Sequence, residues 1–117
     1  MKPAPIKELA TIEDLAKLDV RIGTIEAVGD VESSKKLVKL TVNFGDHQRT
    51  ILAGIKQERA DPAEITGKQA LFVVNLAPRK MAGVMSEGML FDLGYEDGVD
   101  PALAVPERPV PDGTRAG

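Results

Sequence analysis

Val38-Lys39-Leu40-Thr41-Val42-Asn43-Phe44-Gly45-Asp46 alternates apolar with polar side chains and then breaks at a glycine–aspartate pair. A period of two sets Val38, Leu40, Val42 and Phe44 on one face of a strand and Lys39, Thr41 and Asn43 on the other, the signature of a strand with one side against a core. Gly45-Asp46 then turns the chain. Arg49 to Ile55 reads as the returning strand, with Gly54 near its end, so the segment predicts a hairpin.

Toward the N-terminus the same period holds for Leu18, Val20 and Ile22, then slips by one residue so that Ile25 and Ala27 continue the apolar side. The slip predicts a bulge in this first strand, placed at Gly23. Before it, Thr11 is a predicted helix N-cap, with Asp14 at the capping-box position and Ile12, Leu15 and Ala16 on one face of a short helix ending near Leu18. Residues 1–10 contain Pro3 and Pro5 and little pattern; they are expected to form a flexible arm on a single domain spanning 11–117. Toward the C-terminus, Asp61-Pro62-Ala63-Glu64 supplies a cap, a first-turn proline and a reciprocal acid, and Gly67 stops this second short helix. Ala70 to Leu76 is a nearly continuous apolar run, expected to be a strand buried on both faces. Met89 to Leu93 supplies the fifth strand, while Ala102 to Val105 and Val110 to Arg115 predict short edge strands between prolines. The fold class is therefore all-β: five strands, a short N-terminal helix, a short helix between strands 3 and 4, and extra C-terminal strands. This order matches a five-stranded Greek-key barrel of the oligonucleotide/oligosaccharide-binding (OB) type; the pattern alone fits an unrelated small β-domain equally well.

The 117 residues suffice for one core and contain no cysteine and one histidine, which removes thiol catalysis and disulfides and disfavours zinc. No cofactor or metal is expected. The apolar runs are too short to span a bilayer and the N-terminus lacks the apolar centre of a secretion signal, so the expected location is the cytoplasm, without membrane contact. A net charge of -3 argues against an indiscriminate polyanion binder. The charge is uneven, however: residues 1–91 hold 13 Lys+Arg and 12 Asp+Glu, or +1, whereas residues 92–117 hold 2 and 6, or -4. The body can therefore carry a local basic patch.

Asn75-Leu76-Ala77-Pro78-Arg79-Lys80-Met81-Ala82-Gly83-Val84-Met85-Ser86-Glu87-Gly88-Met89 is too polar for core and too specific in composition for a filler loop. With Leu18-Asp19-Val20-Arg21-Ile22-Gly23, Lys36-Leu37, Gly45-Asp46 and Ala53-Gly54-Ile55, it resembles the tRNA-binding domain found at the C-terminus of bacterial methionyl-tRNA synthetase and as free-standing structure-specific tRNA-binding proteins. The likeness runs from about Thr11 to the C-terminus. It implies an OB-fold barrel with added C-terminal strands, a homodimer formed partly through those additions, recognition of tRNA by its folded shape, and no enzymatic reaction. The synthetase signatures His-Ile-Gly-His and Lys-Met-Ser-Lys-Ser are absent. A sister branch, the CsaA-type chaperones, is similar in fold and is described as peptide-binding; Arg49 to Ile55 and Ser86 to Met89 are closer to the tRNA-binding branch. One departure stands out: where the family loop commonly reads His-Pro-Asn-Ala-Asp-Lys-Leu, Val31-Glu32-Ser33-Ser34-Lys35-Lys36-Leu37 keeps only the final Lys-Leu.

The resemblance assigns RNA contact to five residues. Lys36, Arg79 and Lys80 are expected to meet phosphates, the Ser86 hydroxyl to bond sugar or phosphate, and the Met89 thioether to press on a ribose or base. Lys35, Lys39 and Lys56 are read as solvated surface. Glu87 is expected to orient a lysine or a backbone amide, and Asn75 to cap the following turn. Phe44, Phe72, Phe91 and Tyr95 are too few and too embedded in apolar runs to form a base-stacking platform, which favours recognition of shape. The expected function is a non-catalytic tRNA-binding protein, dimeric and accessory to methionyl-tRNA synthetase, with a CsaA-like peptide-binding secretion chaperone as the alternative. Ala102 to Val105 and Val110 are the apolar pieces expected at the dimer contact.

Overall fold

The computed structural model describes all 117 residues. Its element order is α1 (Ile12–Ala16), β1 (Val20–Asp30), β2 (Val38–Asn43), β3 (Gln48–Ala53), a 3₁₀ helix (Pro62–Ile65), β4 (Gln69–Val73), β5 (Arg79–Met81), β6 (Val84–Ser86), β7 (Met89–Leu90), β8 (Asp92–Leu93), β9 (Ala102–Leu103) and β10 (Arg115–Ala116). No helix is long and apolar enough to cross a membrane.

The alternation in 38–44 works as read. Val38, Leu40 and Val42 face inward across from Ala53, Ile51 and Arg49 of β3, so one hairpin supplies a wall of the core. The main sheet runs β3-β2-β1-β4-β7 and curls, with β10 also pairing β1. Both ends then meet: the Glu87 amide donates to the Thr50 carbonyl at 2.9 Å, and Arg49 Nη1 donates to the carbonyls of Val74 and Glu87 at 2.6 and 3.0 Å. The result is an all-β barrel of the OB type. Its interior is one apolar cluster built around Ile25, Leu40, Ile51, Ile65 and Phe72, all fully enclosed.

Thr11 caps α1 with the expected box, its hydroxyl accepting from the Asp14 amide while the Asp14 carboxylate accepts from the Thr11 amide. Asp61 caps the 3₁₀ helix, with Pro62 opening it. Four readings change. The bulge lies between Ile25 and Ala27, not at Gly23; Gly23 instead lets β1 press against Val42 and Phe44, where a Cβ would lie 2.6 and 2.7 Å from their side chains. The fifth strand is broken into β7 and β8, which pair with different partners, β4 and β9. Arg79 to Ser86 is an ordered two-stranded hairpin, not a loop. Finally, within the proline-flanked pieces Leu103 packs against the core cluster and the Val110 amide is taken by Gln69, while Ala102 and Val105 stay exposed. A further group of exposed apolar residues lies toward the N-terminus, where Ile6, Leu9, Ile12, Leu15 and Leu18 are open to solvent. No residue of α1 is buried.

Candidate nucleic-acid interface

The hairpin β5–β6 turns through Ala82 and Gly83, both with positive φ (48° and 81°), as a two-residue turn matched to strand twist requires. Its register pairs Arg79 with Ser86, Lys80 with Met85 and Met81 with Val84. Residues on one strand alternate faces. Arg79, Met81, Val84 and Ser86 thus lie on the face turned to β3, and Lys80 and Met85 on the outer face, where Met85 is exposed. The two adjacent cations diverge, one to each side of the hairpin. Both are solvent-exposed, and neither makes an ion pair or a side-chain hydrogen bond in the fold.

The loop between β1 and β2 leans on this hairpin: Ser33 Oγ donates to the Ala82 carbonyl at 3.3 Å. Lys36, in the same loop, is exposed and shares a groove of about 660 Å³ with Met89, Glu58, Asp92 and Tyr95. Lys36 and Met89 thus line one groove, and the loop of Lys36 touches the turn of the hairpin that carries Arg79 and Lys80. Ser86 does not join them. It is 4% exposed, and its hydroxyl accepts from the Leu52 amide at 3.0 Å and donates to the Gly88 carbonyl at 3.2 Å. The expectation of a ribose- or phosphate-bonding hydroxyl is corrected accordingly: Ser86 stitches β3 to the β6–β7 junction where the barrel closes. Replacing it with alanine leaves a buried amide without a partner and should lower stability by about 1–3 kcal/mol, several degrees in a thermal melt, without removing any exposed cation.

Two other side chains hold backbone. Glu87 accepts from the Thr50 amide at 3.3 Å, the amide-orienting role expected of it. Asn75 caps no following turn; its side chain reaches back across the sheet, accepting from the Asp19 amide at 2.8 Å and donating to the Lys17 carbonyl at 2.7 Å. It fixes where α1 runs into β1. No local pattern around Asn75 signals a bond to residues 56 and 58 positions away.

Electrostatics within the groove are mixed. Glu58 Oε1 and Asp92 Oδ1 are both buried without a donor. Burial first, then the hydrogen bond and charge of Asp92, push the Glu58 carboxyl up from 4.5 to about 7, with Arg59 opposing. A shared proton is the arrangement that relieves two facing carboxylates. Because the folded state keeps a proton that the unfolded chain has released above pH 4.5, this contribution is full at low pH and is lost as pH rises to about 7. The melting temperature should fall across that window by an amount corresponding to about 3 kcal/mol at most, solvent screening reducing it. Glu58→Gln, which can donate permanently to Asp92, should flatten the profile; an equally steep profile in the variant would show that other groups set it.

At the far end of the barrel Arg21 and Arg115 gather around Asp19, at 2.9 and 3.9 Å. The Arg21 hydrogen bond holds the Asp19 carboxyl below its ordinary range. Both cations share that one carboxylate, whereas Lys36, Arg79 and Lys80 have none.

A family model described as "Putative tRNA binding domain" matches residues 20–115, which takes in both the loop of Lys36 and the whole hairpin. The chain belongs to the tRNA-binding domain family. Methionine–tRNA ligase of Nitrosomonas europaea is 42% identical over 112 residues, covering 96% of this chain and 16% of the relative; that of Archaeoglobus fulgidus is 43% identical over 93% of the chain, again 16% of its own length. The chain thus spans about one sixth of these relatives. Among solved structures, a MetRS-related protein from Pyrococcus horikoshii superposes with a TM-score of 0.85 at 37% identity, covering 95% of this chain and all of that one. The chaperone CsaA from Bacillus anthracis superposes with a TM-score of 0.81 at 31% identity, over 94% of this chain and all of its own. This domain family is therefore related both to synthetases and to a protein named as a chaperone, and the side chains on the surface must distinguish the two readings.

Proposed function

We propose that the protein is a non-catalytic, structure-specific tRNA-binding protein that works as a homodimer, accessory to methionyl-tRNA synthetase. The observation that carries the reading is the set of cations without internal partners, Lys36, Arg79 and Lys80, on a loop and a hairpin that touch through Ser33 and Ala82. A cation already paired with a carboxylate gains little from a phosphate; these three have their full charge to offer. Phosphate contact positions a folded RNA without reading its bases, and a surface of this kind suits the outside of a tRNA. Binding should weaken as salt rises, because each neutralised phosphate releases counterion. The test is binding of the purified protein to tRNA across a salt series, with generic duplex and single-stranded RNA as competitors. Competition by either that equals tRNA would remove structure specificity, and absence of binding would remove the reading.

The dimer is supported by the apolar cleft of about 500 Å³ formed by Ile12, Leu15, Leu18, Val20 and Ala116, between α1 and the end of β10. A helix with no buried residue has its apolar face left to cover, and a second copy supplies a matching face. Sedimentation should report twice the monomer mass, and Leu15→Asp should return the mass to that of one chain. Accessory action predicts co-purification with methionyl-tRNA synthetase.

The second reading, a peptide-binding chaperone of the CsaA kind, is favoured by one feature: the groove beside Met89 also carries Tyr95, Glu58, Asp92, Glu96 and Asp97. Its aromatic, thioether and acidic lining suits a cationic, apolar peptide better than a phosphate. Suppression of aggregation of an unfolded client, with no tRNA affinity, would reverse the order of the two readings.

A further inference from the structure

The side chain of Lys56 has been treated as solvated surface on sequence grounds, yet it is 23% exposed and its ammonium is fully engaged. Nζ donates to the Val31 carbonyl at 2.8 Å and to the Ser34 carbonyl at 2.6 Å, and lies 2.6 Å from Asp30 Oδ1. An ammonium has three protons. Two are taken by carbonyls and the charge is paired with the Asp30 carboxylate, so little is left for a phosphate. The Lys56 backbone amide also donates to the Lys36 carbonyl, at 3.0 Å. The chain just after β3 therefore grips the β1–β2 loop at its start, its middle and at Lys36 itself.

The loop needs such a grip. Glu32 to Lys36 contains no proline and includes two serines. Its own internal ties are short ones: the Ser34 amide to the Val31 carbonyl at 3.0 Å, and Ser34 Oγ accepting from the amides of Lys36 and Leu37 at 3.2 and 3.1 Å. These curl the loop upon itself without fixing it to the barrel. Beyond Lys56, its recorded polar tie to another part of the fold is the Ser33 bond to the hairpin turn.

We infer that Lys56 is a positioning residue for tRNA binding, which locks the Val31–Lys36 loop onto the barrel so that Lys36 stands beside the Arg79–Lys80 hairpin, without touching RNA itself. The inference rests on the tRNA reading above and assigns a role within that surface. Holding the loop beforehand removes the ordering cost that binding would otherwise carry. It also makes Asp30, an anion close to an RNA surface, helpful to binding through its hold on Lys56.

The experiment is a double-mutant cycle of Lys56→Met and Lys36→Ala, with tRNA affinity measured across a salt series. Lys56→Met should lower the salt slope by about one, as Lys36→Ala does, and the double variant should bind no more weakly than Lys36→Ala alone. Asp30→Asn supplies a test of sign. Removing an anion ordinarily strengthens polyanion binding, whereas loosening the Lys56 grip weakens it, and weakening is expected. Unchanged affinity in Lys56→Met, additive losses in the cycle, or tighter binding by Asp30→Asn would each overturn the inference. Amide exchange provides a readout independent of RNA: the Lys36 and Leu37 amides should exchange faster in Lys56→Met while those of β2 and β4 keep their protection. Should wild-type protein fail to bind tRNA, the functional reading falls, and unchanged Lys36 exchange would separately dispose of the grip.

Discussion

Substituting Arg79 and Lys80 together with alanine should weaken tRNA binding at low salt by on the order of tenfold or more, and should lower the slope of log affinity against log salt by about two. The fold should be untouched. Both side chains are exposed, their hairpin is held by its own ladder and by the Ser86 bond to Leu52, and no ion pair is lost. The single variants carry more information than the double one. Arg79 leans to the face shared with Met81 and Val84, while Lys80 shares the outer face with Met85. If a folded RNA straddles the hairpin, each single substitution should remove about one unit of slope. If the RNA lies only on the outer face, Lys80→Ala should account for the whole loss, and Arg79→Ala should bind as wild type. An undiminished slope in the double variant would remove the hairpin from the interface and leave the groove at Met89 as the remaining candidate surface.

Signals carried by neighbouring residues and those carried by distant ones differ in how far the sequence displays them. Alternation in 38–44, the Thr11–Asp14 box and the Asp61–Pro62 cap were legible because each depends on residues a few positions apart, and each is present. The loop cations were legible for a related reason: exposure of Lys36, Arg79 and Lys80 follows from charge in a segment that breaks the apolar pattern. Ser86, Asn75 and Lys56 were not. A serine in a Ser-Glu-Gly-Met run looks like a ligand, yet its hydroxyl is consumed by Leu52, 34 residues earlier. Lys56 looks like any surface lysine because its two carbonyl acceptors and its carboxylate partner lie 22 to 26 positions back. Barrel closure places distant segments side by side, and side chains at that seam take roles that no window of sequence displays. The apolar spacing of α1 was legible, but nothing in that spacing tells whether the face meets the chain's own core or another molecule.

Gly23→Ala should destabilise the fold strongly for a single added methyl. Glycine in a strand is ordinarily a weakness, since it has no side chain to pack and more backbone freedom to lose, and on that basis alanine should help. The neighbourhood reverses the sign. Gly23 is buried and pairs with Ala70 of β4; an added Cβ would meet Val42 Cγ1 at 2.6 Å and the Phe44 ring at 2.7 and 2.9 Å. Neither neighbour has room to retreat. Val42 is fully enclosed, and Phe44 makes an edge contact with Phe72, ring centres 5.5 Å apart, while the Phe44 amide is tied to the His47 carbonyl at 2.9 Å. The methyl must therefore push β1 away from β2 next to Thr24, the residue through which β1 passes from pairing with β4 to pairing with β2. Overpacking of this kind costs about 1–3 kcal/mol or more, far above the few tenths expected at an open strand glycine, and denaturant melts should show a clear fall in midpoint with an unchanged slope. The double variant Gly23→Ala/Val42→Ala, which vacates the space facing the new methyl, should recover part of what Val42→Ala alone loses. If the two losses simply add, steric conflict with Val42 is not the cause, and the Phe44 ring would be the contact that matters.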